Sequence, residues 1–134
     1  MVTRRTVLAG ATAALFARVL AAQSTTEQTR IVLQQDLPDL TLDKWGATLV
    51  EVSYPPGGRS RSHTHPGITI AYVLEGSIRS KVGEQPETTY TTGQAFVETP
   101  GQLHAVSRNA SETEPARLLA VLLAEKGQIL TVPK

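Results

Sequence analysis

HTHPGITIAYVLEGSIRSKV, residues 63–82, holds two of the chain's three histidines and, directly after them, its clearest strand signal. The run ITIAYVLE is rich in β-branched and aromatic residues and apolar at both parities, which predicts a strand covered on both faces. Glu75-Gly76 breaks the run. In SIRSKV, Arg79 and Lys81 recur at alternate positions, as on a strand with one solvated face.

The same reading extends outward. ATLVEVSY, residues 47–54, alternates Ala47, Leu49 and Glu51 with Thr48, Val50 and Val52, and is stopped by Pro55, Pro56, Gly57 and Gly58. RIVLQQDL, residues 30–37, is a further candidate strand. TTYTTG and AFVET follow, split at Gly93, then HAVSR and ARLLAVLLA, separated by the polar loop NASETEP, and finally QILTV. RLLAVLLAE has the propensity to be helical, but its continuous apolar run and its place in a strand series favour a strand. Eight or nine short strands at spacings of about ten residues predict a sandwich or barrel. Gly76, Gly93 and Gly101 read as turn residues.

Composition bounds the rest. The 134 residues suffice for one domain, and with aromatics at 4% the core must be built from Val, Leu, Ile and Ala. The chain has no cysteine, which excludes a disulfide frame, a thiol nucleophile and a thiolate metal site.

The first 22 residues differ in character. Arg4 and Arg5 precede an apolar stretch over residues 7–20, interrupted by Arg18, and Ala21 and Ala22 follow. A charged start, an apolar middle and a small-residue end are the layout of an export signal. The middle is shorter than the roughly 20 residues that span a bilayer, so no stable membrane anchor is expected after cleavage. TRRTVLA resembles a twin-arginine signal, with Val7 where phenylalanine is commonest. The domain reading is therefore an export signal over 1–22, a polar leader over 23–30 and a barrel over 31–134, located in the periplasm or secreted. Removing residues 1–22 takes three of the 13 basic residues and no acid, which leaves 10 against 12 acidic and a formal charge of −2. No basic patch points to nucleic acid.

His63 and His65 share one face of any strand that holds them, about 7 Å apart along the chain. Imidazole is the commonest metal ligand near neutral pH. Two imidazoles are weak evidence, and His104, after Pro100-Gly101 and at the start of another candidate strand, supplies the third.

With these residues in place, the chain resembles the cupin family. In the first motif of that family, G-x5-H-x-H-x3-4-E-x6-G, Gly57, His63, His65 and Gly76 fall in register. In the second, G-x5-P-x-G-x2-H-x3-N, Gly93, Gly101 and His104 keep their spacing, while Pro100 and Asn109 each sit one place late. The resemblance implies an all-β double-stranded β-helix, a jelly-roll barrel, in which His63, His65 and His104 hold a divalent transition metal: Fe, Mn, Ni, Cu or Zn. It departs from the family at Thr69, which stands where the motif has glutamate. Three imidazoles still form a divalent site with open positions, as in cupin dioxygenases that use three histidines on iron.

Around those ligands, Glu98 could fix an imidazole tautomer or act as a general base, and Tyr72 could donate its phenol to a ligand. These two are the candidate catalytic residues. Arg59 and Arg61 could recruit an anion, and Trp45 reads as a packing residue. Three function classes stay open: a dioxygenase-like enzyme acting on a small molecule, a periplasmic module that binds metal or ligand without turnover, and a metal-free structural dimer. The resemblance also implies a homodimer.

Overall fold

The computed structural model describes residues 30–39, 41 and 43–134. The export-signal expectation over 1–22 and all but the last residue of the leader lie outside these residues. The described chain is all β: β1 (Trp45–Tyr54), β2 (His63–Thr64), β3 (Ile68–Glu75), β4 (Ser77–Val82), β5 (Thr88–Thr91), β6 (Ala95–Glu98), β7 (His104–Asn109), β8 (Ala116–Glu125) and β9 (Val132–Pro133).

They form two antiparallel sheets, one in the order β1-β8-β3-β6 and the other β5-β4-β7-β2-β9. Successive strands repeatedly switch sheets, as β3 and β4 do across Gly76, which is how a chain winds a double-stranded β-helix. Gly76 has φ 69°, and a Cβ there would come within 2.6 Å of the Pro115 carbonyl oxygen, so both conformation and space require glycine.

The run at 116–125 is a strand, as its apolar continuity predicts. It lies between β1 and β3, paired with β1 from Trp45↔Glu125 to Tyr54↔Ala116. Its even-numbered residues from Ala116 to Ala124 are buried between the sheets, and the intervening ones are half-buried on the outer face. Ala71, Val73, Ile78, Phe96, Leu118 and Leu122 form the heart of the core. Tyr90 packs on Phe96 with ring centroids 4.8 Å apart, so two of the few aromatics add to this core.

Two expected strands differ. Residues 30–37 form no strand, and Ile31 is 79% exposed. Its Ile31-Val32-Leu33 run supplies propensity, but a strand also needs a partner edge, and no strand pairs with this segment. QILTV yields only the short β9. Gly127, at φ 86°, turns the chain before it, and Leu130 packs against the core instead of continuing a ladder.

Candidate metal centre

β2 and β7 are adjacent antiparallel strands, and His63 lies directly opposite His104. His65 falls just beyond β2, where Pro66 removes a backbone donor and ends the ladder. The three rings meet at the mouth of the barrel: the His63 centroid is 4.9 Å from that of His65 and 5.0 Å from that of His104. His65 and His104 are buried, and His63 is half-buried.

Each ring has one nitrogen held from outside. His63 Nδ1 lies 2.7 Å from the Arg61 carbonyl oxygen and His65 Nδ1 2.7 Å from that of Leu130. A carbonyl only accepts, so both Nδ1 atoms carry a proton and the Nε2 atoms are the ones left to face inward, that of His65 toward Glu98. His104 is turned the other way: its Nε2 lies 2.9 Å from Ser80 Oγ and its Nδ1 faces the centre. Outer hydrogen bonds of this kind fix the tautomer and ring orientation of metal-ligating histidines.

Glu98 completes the cluster. Phe96 and Glu98 point inward from β6, a parity that the sequence left open because a turn separates Glu98 from His104. Glu98 Oε2 is 2.7 Å from His104 Nδ1 and 3.3 Å from His65 Nε2. Burial pushes this carboxyl up, but the two rings beside it outweigh burial and hold it down at about 2. It is therefore an anion at neutral pH. Burial lowers His63, against the pull of the Arg61 carbonyl; burial also acts on His65, but Glu98 and the Leu130 carbonyl overcome it and raise that ring.

Glu98 lies opposite Thr69 in the β3–β6 ladder. Directly paired residues hold their Cβ atoms about 5 Å apart, so the carboxylate missing at 69 is present one strand over. Glu98 Oε2, His104 Nδ1 and Thr69 Oγ1 are buried, and none makes a hydrogen bond of acceptable geometry. Glu98 Oε2 and His104 Nδ1 are nonetheless only 2.7 Å apart, within ion-pair distance. Ligand atoms of His63, Glu98 and His104 lie within 4.8 Å of one another, a His/Glu cluster able to hold a metal ion.

A cavity of about 510 Å³ opens onto the cluster, with Val50, Val52, Leu118, Ala120 and Leu122 on its apolar side. Of the other residues singled out from the sequence, Arg61 lines this cavity, whereas Arg59 sits in a separate shallow depression beside Arg108. Tyr72 does not line the cavity; it shares the outer parity of β3 with Ile70 and Leu74. Trp45 begins β1, half-buried. Sequence reasoning did not single out Ser80, although its place between Ile78 and Val82 on an alternating strand was a usable signal. Nothing in the sequence marks the Arg61 and Leu130 carbonyls.

A double-stranded β-helix with histidines and a carboxylate gathered at its mouth defines a class, and comparison with known proteins agrees. Residues 50–122, more than half of the chain, match the cupin domain model, and the chain belongs to that family. It is 33% identical over 97 residues to germin-like protein subfamily T member 3 of Arabidopsis thaliana, an alignment covering 69% of this chain and 42% of that protein. The chain thus spans less than half the length of this curated relative. A Klebsiella pneumoniae protein with a double-stranded β-helix domain superposes with a TM-score of 0.54 at 24% identity, covering 66% of this chain and 76% of that one. Oxalate oxidase in complex with the substrate analogue glycolate superposes with a TM-score of 0.52 at 20% identity, covering 59% and 45%.

Proposed function

We propose that this cupin binds a divalent transition metal through His63, His65 and His104, with Glu98 beside them, and presents it to a small oxygen-bearing molecule in the cavity. One observation carries the reading. Ligand atoms of His63, Glu98 and His104 lie within 4.8 Å of one another, His65 stands beside them with its ring 4.9 Å from that of His63, each ring has an outer partner, and Glu98 Oε2 and His104 Nδ1 lack hydrogen bonds. A cation satisfies them together; a proton satisfies at most one pair. The donor set of imidazoles and one carboxylate suits Fe, Mn, Ni, Cu or Zn, and raw affinity favours the later metals of that series.

A metal held there supplies Lewis-acid polarisation of a bound oxygen atom, or redox chemistry if it is iron or manganese. The chain's own contribution is orientation. The Arg61 and Leu130 carbonyls and Ser80 lock the rings, Glu98 lowers the net charge of the site, and the apolar wall keeps bulk water from the ligand's body. Dioxygenase-like turnover of a diketone, enol or phenolic is the enzymatic form of this proposal. Binding without turnover is the second reading, favoured by Glu98 being engaged with two imidazoles instead of standing free as a base.

Two further proposals rest on other grounds. The twin-arginine-like sequence over residues 1–22 supports export to the periplasm or beyond, tested by fractionation of the native cell. A homodimer is supported by the outer face of the β1-β8-β3-β6 sheet. There Leu49, Val121, Ile70 and Val97 align in one apolar row, whereas the other sheet turns out Arg79 and Lys81. Sedimentation of the wild-type protein and a Leu49→Lys variant tests it; a monomeric wild type refutes it.

The metal reading is tested by elemental analysis of protein purified from its native compartment. About one divalent ion per chain is expected, and protein that neither carries nor takes up such an ion refutes it. Oxygen uptake with diketones and phenols then separates turnover from binding.

A further inference from the structure

The ladder that pairs His63 with His104 continues away from the cluster. Ser60 N donates to the Ser107 carbonyl oxygen at 2.9 Å, and Arg59 bridges Arg108. Ser60 and Ser107 are thus a second pair three positions from the histidine pair, which in an extended ladder is about 10 Å. Tyr54, from the last position of β1, reaches across from the other sheet. Its Oη lies 2.8 Å from Ser60 Oγ and 2.9 Å from Ser107 Oγ. Tyr54 and Ser107 are each 6% exposed, and all three residues line the same cavity as the His/Glu cluster.

Counting protons shows what this trio lacks. Three hydroxyls carry three protons, and the two hydrogen bonds joining them use two. The third proton has no acceptor among the described residues. With Ser60 only half-buried, this spare donor is open to the cavity, whose intervening wall, Val50, Val52, Leu118 and Ala120, offers no side-chain acceptor.

We infer that the cavity is built for a ligand with two polar ends. An oxygen-bearing head meets the His/Glu cluster, an apolar body lies along β1 and β8, and a second oxygen, a hydroxyl or carbonyl, takes the free proton of the Tyr54–Ser60–Ser107 trio. The head-group part rests on the metal reading; the trio part does not. Among the described residues the histidines and Arg61, which follows Ser60 directly, are the basic side chains lining the cavity. Tyr54, Ser60 and Ser107 become specificity determinants.

The test uses the Zn²⁺-loaded protein, Zn²⁺ being redox-inert, and compares by calorimetry the binding of benzoylacetone and its para-hydroxy derivative. The two share a chelating head and an aromatic body, and one alone carries the distal oxygen. Wild type is expected to bind the hydroxylated probe about fivefold to tenfold more tightly, the scale of one hydrogen bond. Tyr54→Phe and Ser107→Ala should each bring the ratio close to one while leaving Zn²⁺ affinity as it was. Equal binding of the two probes by the wild type, or a preference that survives in both variants, overturns the inference and leaves the trio a purely structural tie between sheets. The ratio is measured on Zn²⁺-free protein as well. Failure to take up Zn²⁺ therefore refutes the metal reading separately, while the probe ratio still decides the trio.

Discussion

Replacing Glu98 by glutamine removes a buried charge while keeping the side chain's shape. The carboxyl sits at about 2 in the folded protein against an ordinary 4.5. Each unit of difference is worth about 1.4 kcal/mol, so the ionised Glu98 stabilises the metal-free fold by about 3 kcal/mol at neutral pH. Breaking a buried charge pair costs a similar amount in other proteins. Because the folded value is depressed, the contribution is full above the ordinary carboxyl range and is lost as pH falls through about 2. Chelator-treated wild type and Glu98→Gln should be compared by urea unfolding near pH 7 and at several lower values. A midpoint lower by roughly 1–3 M urea is expected for the variant near neutrality. That gap should close between about pH 4 and pH 2 as the wild type loses its advantage. A gap that is absent at neutrality, or that stays constant down to the acid limb, would refute the electrostatic reasoning, the second result pointing to a packing defect instead.

Moving the carboxylate back across the ladder should work in one direction only. Thr69→Glu alone places a second acid opposite Glu98 and should lower the thermal midpoint of metal-free protein, whereas Thr69→Glu with Glu98→Thr should keep divalent-metal affinity within about tenfold of wild type. Metal titrations across pH should show affinity rising with pH through and beyond 6.5, because His65 holds its proton above that ordinary value and must release it to bind. The same ring stabilises the metal-free protein fully below 6.5, an increment lost as pH rises through its raised value. Gly67→Ala brings a Cβ to within 1.9 Å of the Leu123 carbonyl oxygen; backbone cannot yield as a side-chain tip can, and thermal unfolding should show a loss of about 3 kcal/mol or more. Ile78→Ala, at a fully buried position between the sheets, should cost about 2–5 kcal/mol by urea unfolding.

The strands that the sequence made plain are those whose side chains decide their own register. ITIAYVLE and RLLAVLLAE are apolar enough that only burial suits them, and both are central in one sheet. RIVLQQDL shows the converse. Its residues suit a strand locally, but strand pairing is a property of two segments, and nothing in eight residues reports that no edge is free to receive them. QILTV fails as a long strand for the same reason, with Leu130 drawn to the core.

At the candidate site, residue types and spacing were enough to bring three histidines together, since His63 and His104 are cross-strand partners. The role of Glu98 was not legible. Its inward direction depends on how the chain turns at Pro100-Gly101, and its relation to Thr69 depends on the register between β3 and β6. Tyr54, Ser60 and Ser107 escaped for a related cause. They lie on three segments from two sheets, and their common hydrogen-bond network exists only once the sheets face each other. Tyr72 looked as suitable as Tyr54 by composition; strand parity turns it to the outer face.

X-ray absorption of the protein loaded with one equivalent of Zn²⁺ tests the convergence of these side chains most directly. Several imidazole nitrogens at about 2.0–2.1 Å with an oxygen at similar distance are expected, and the imidazole signal should fall in His104→Ala. A shell of oxygen scatterers alone, or one that the loss of His104 leaves unchanged, would contradict a cation held among His63, His65, Glu98 and His104.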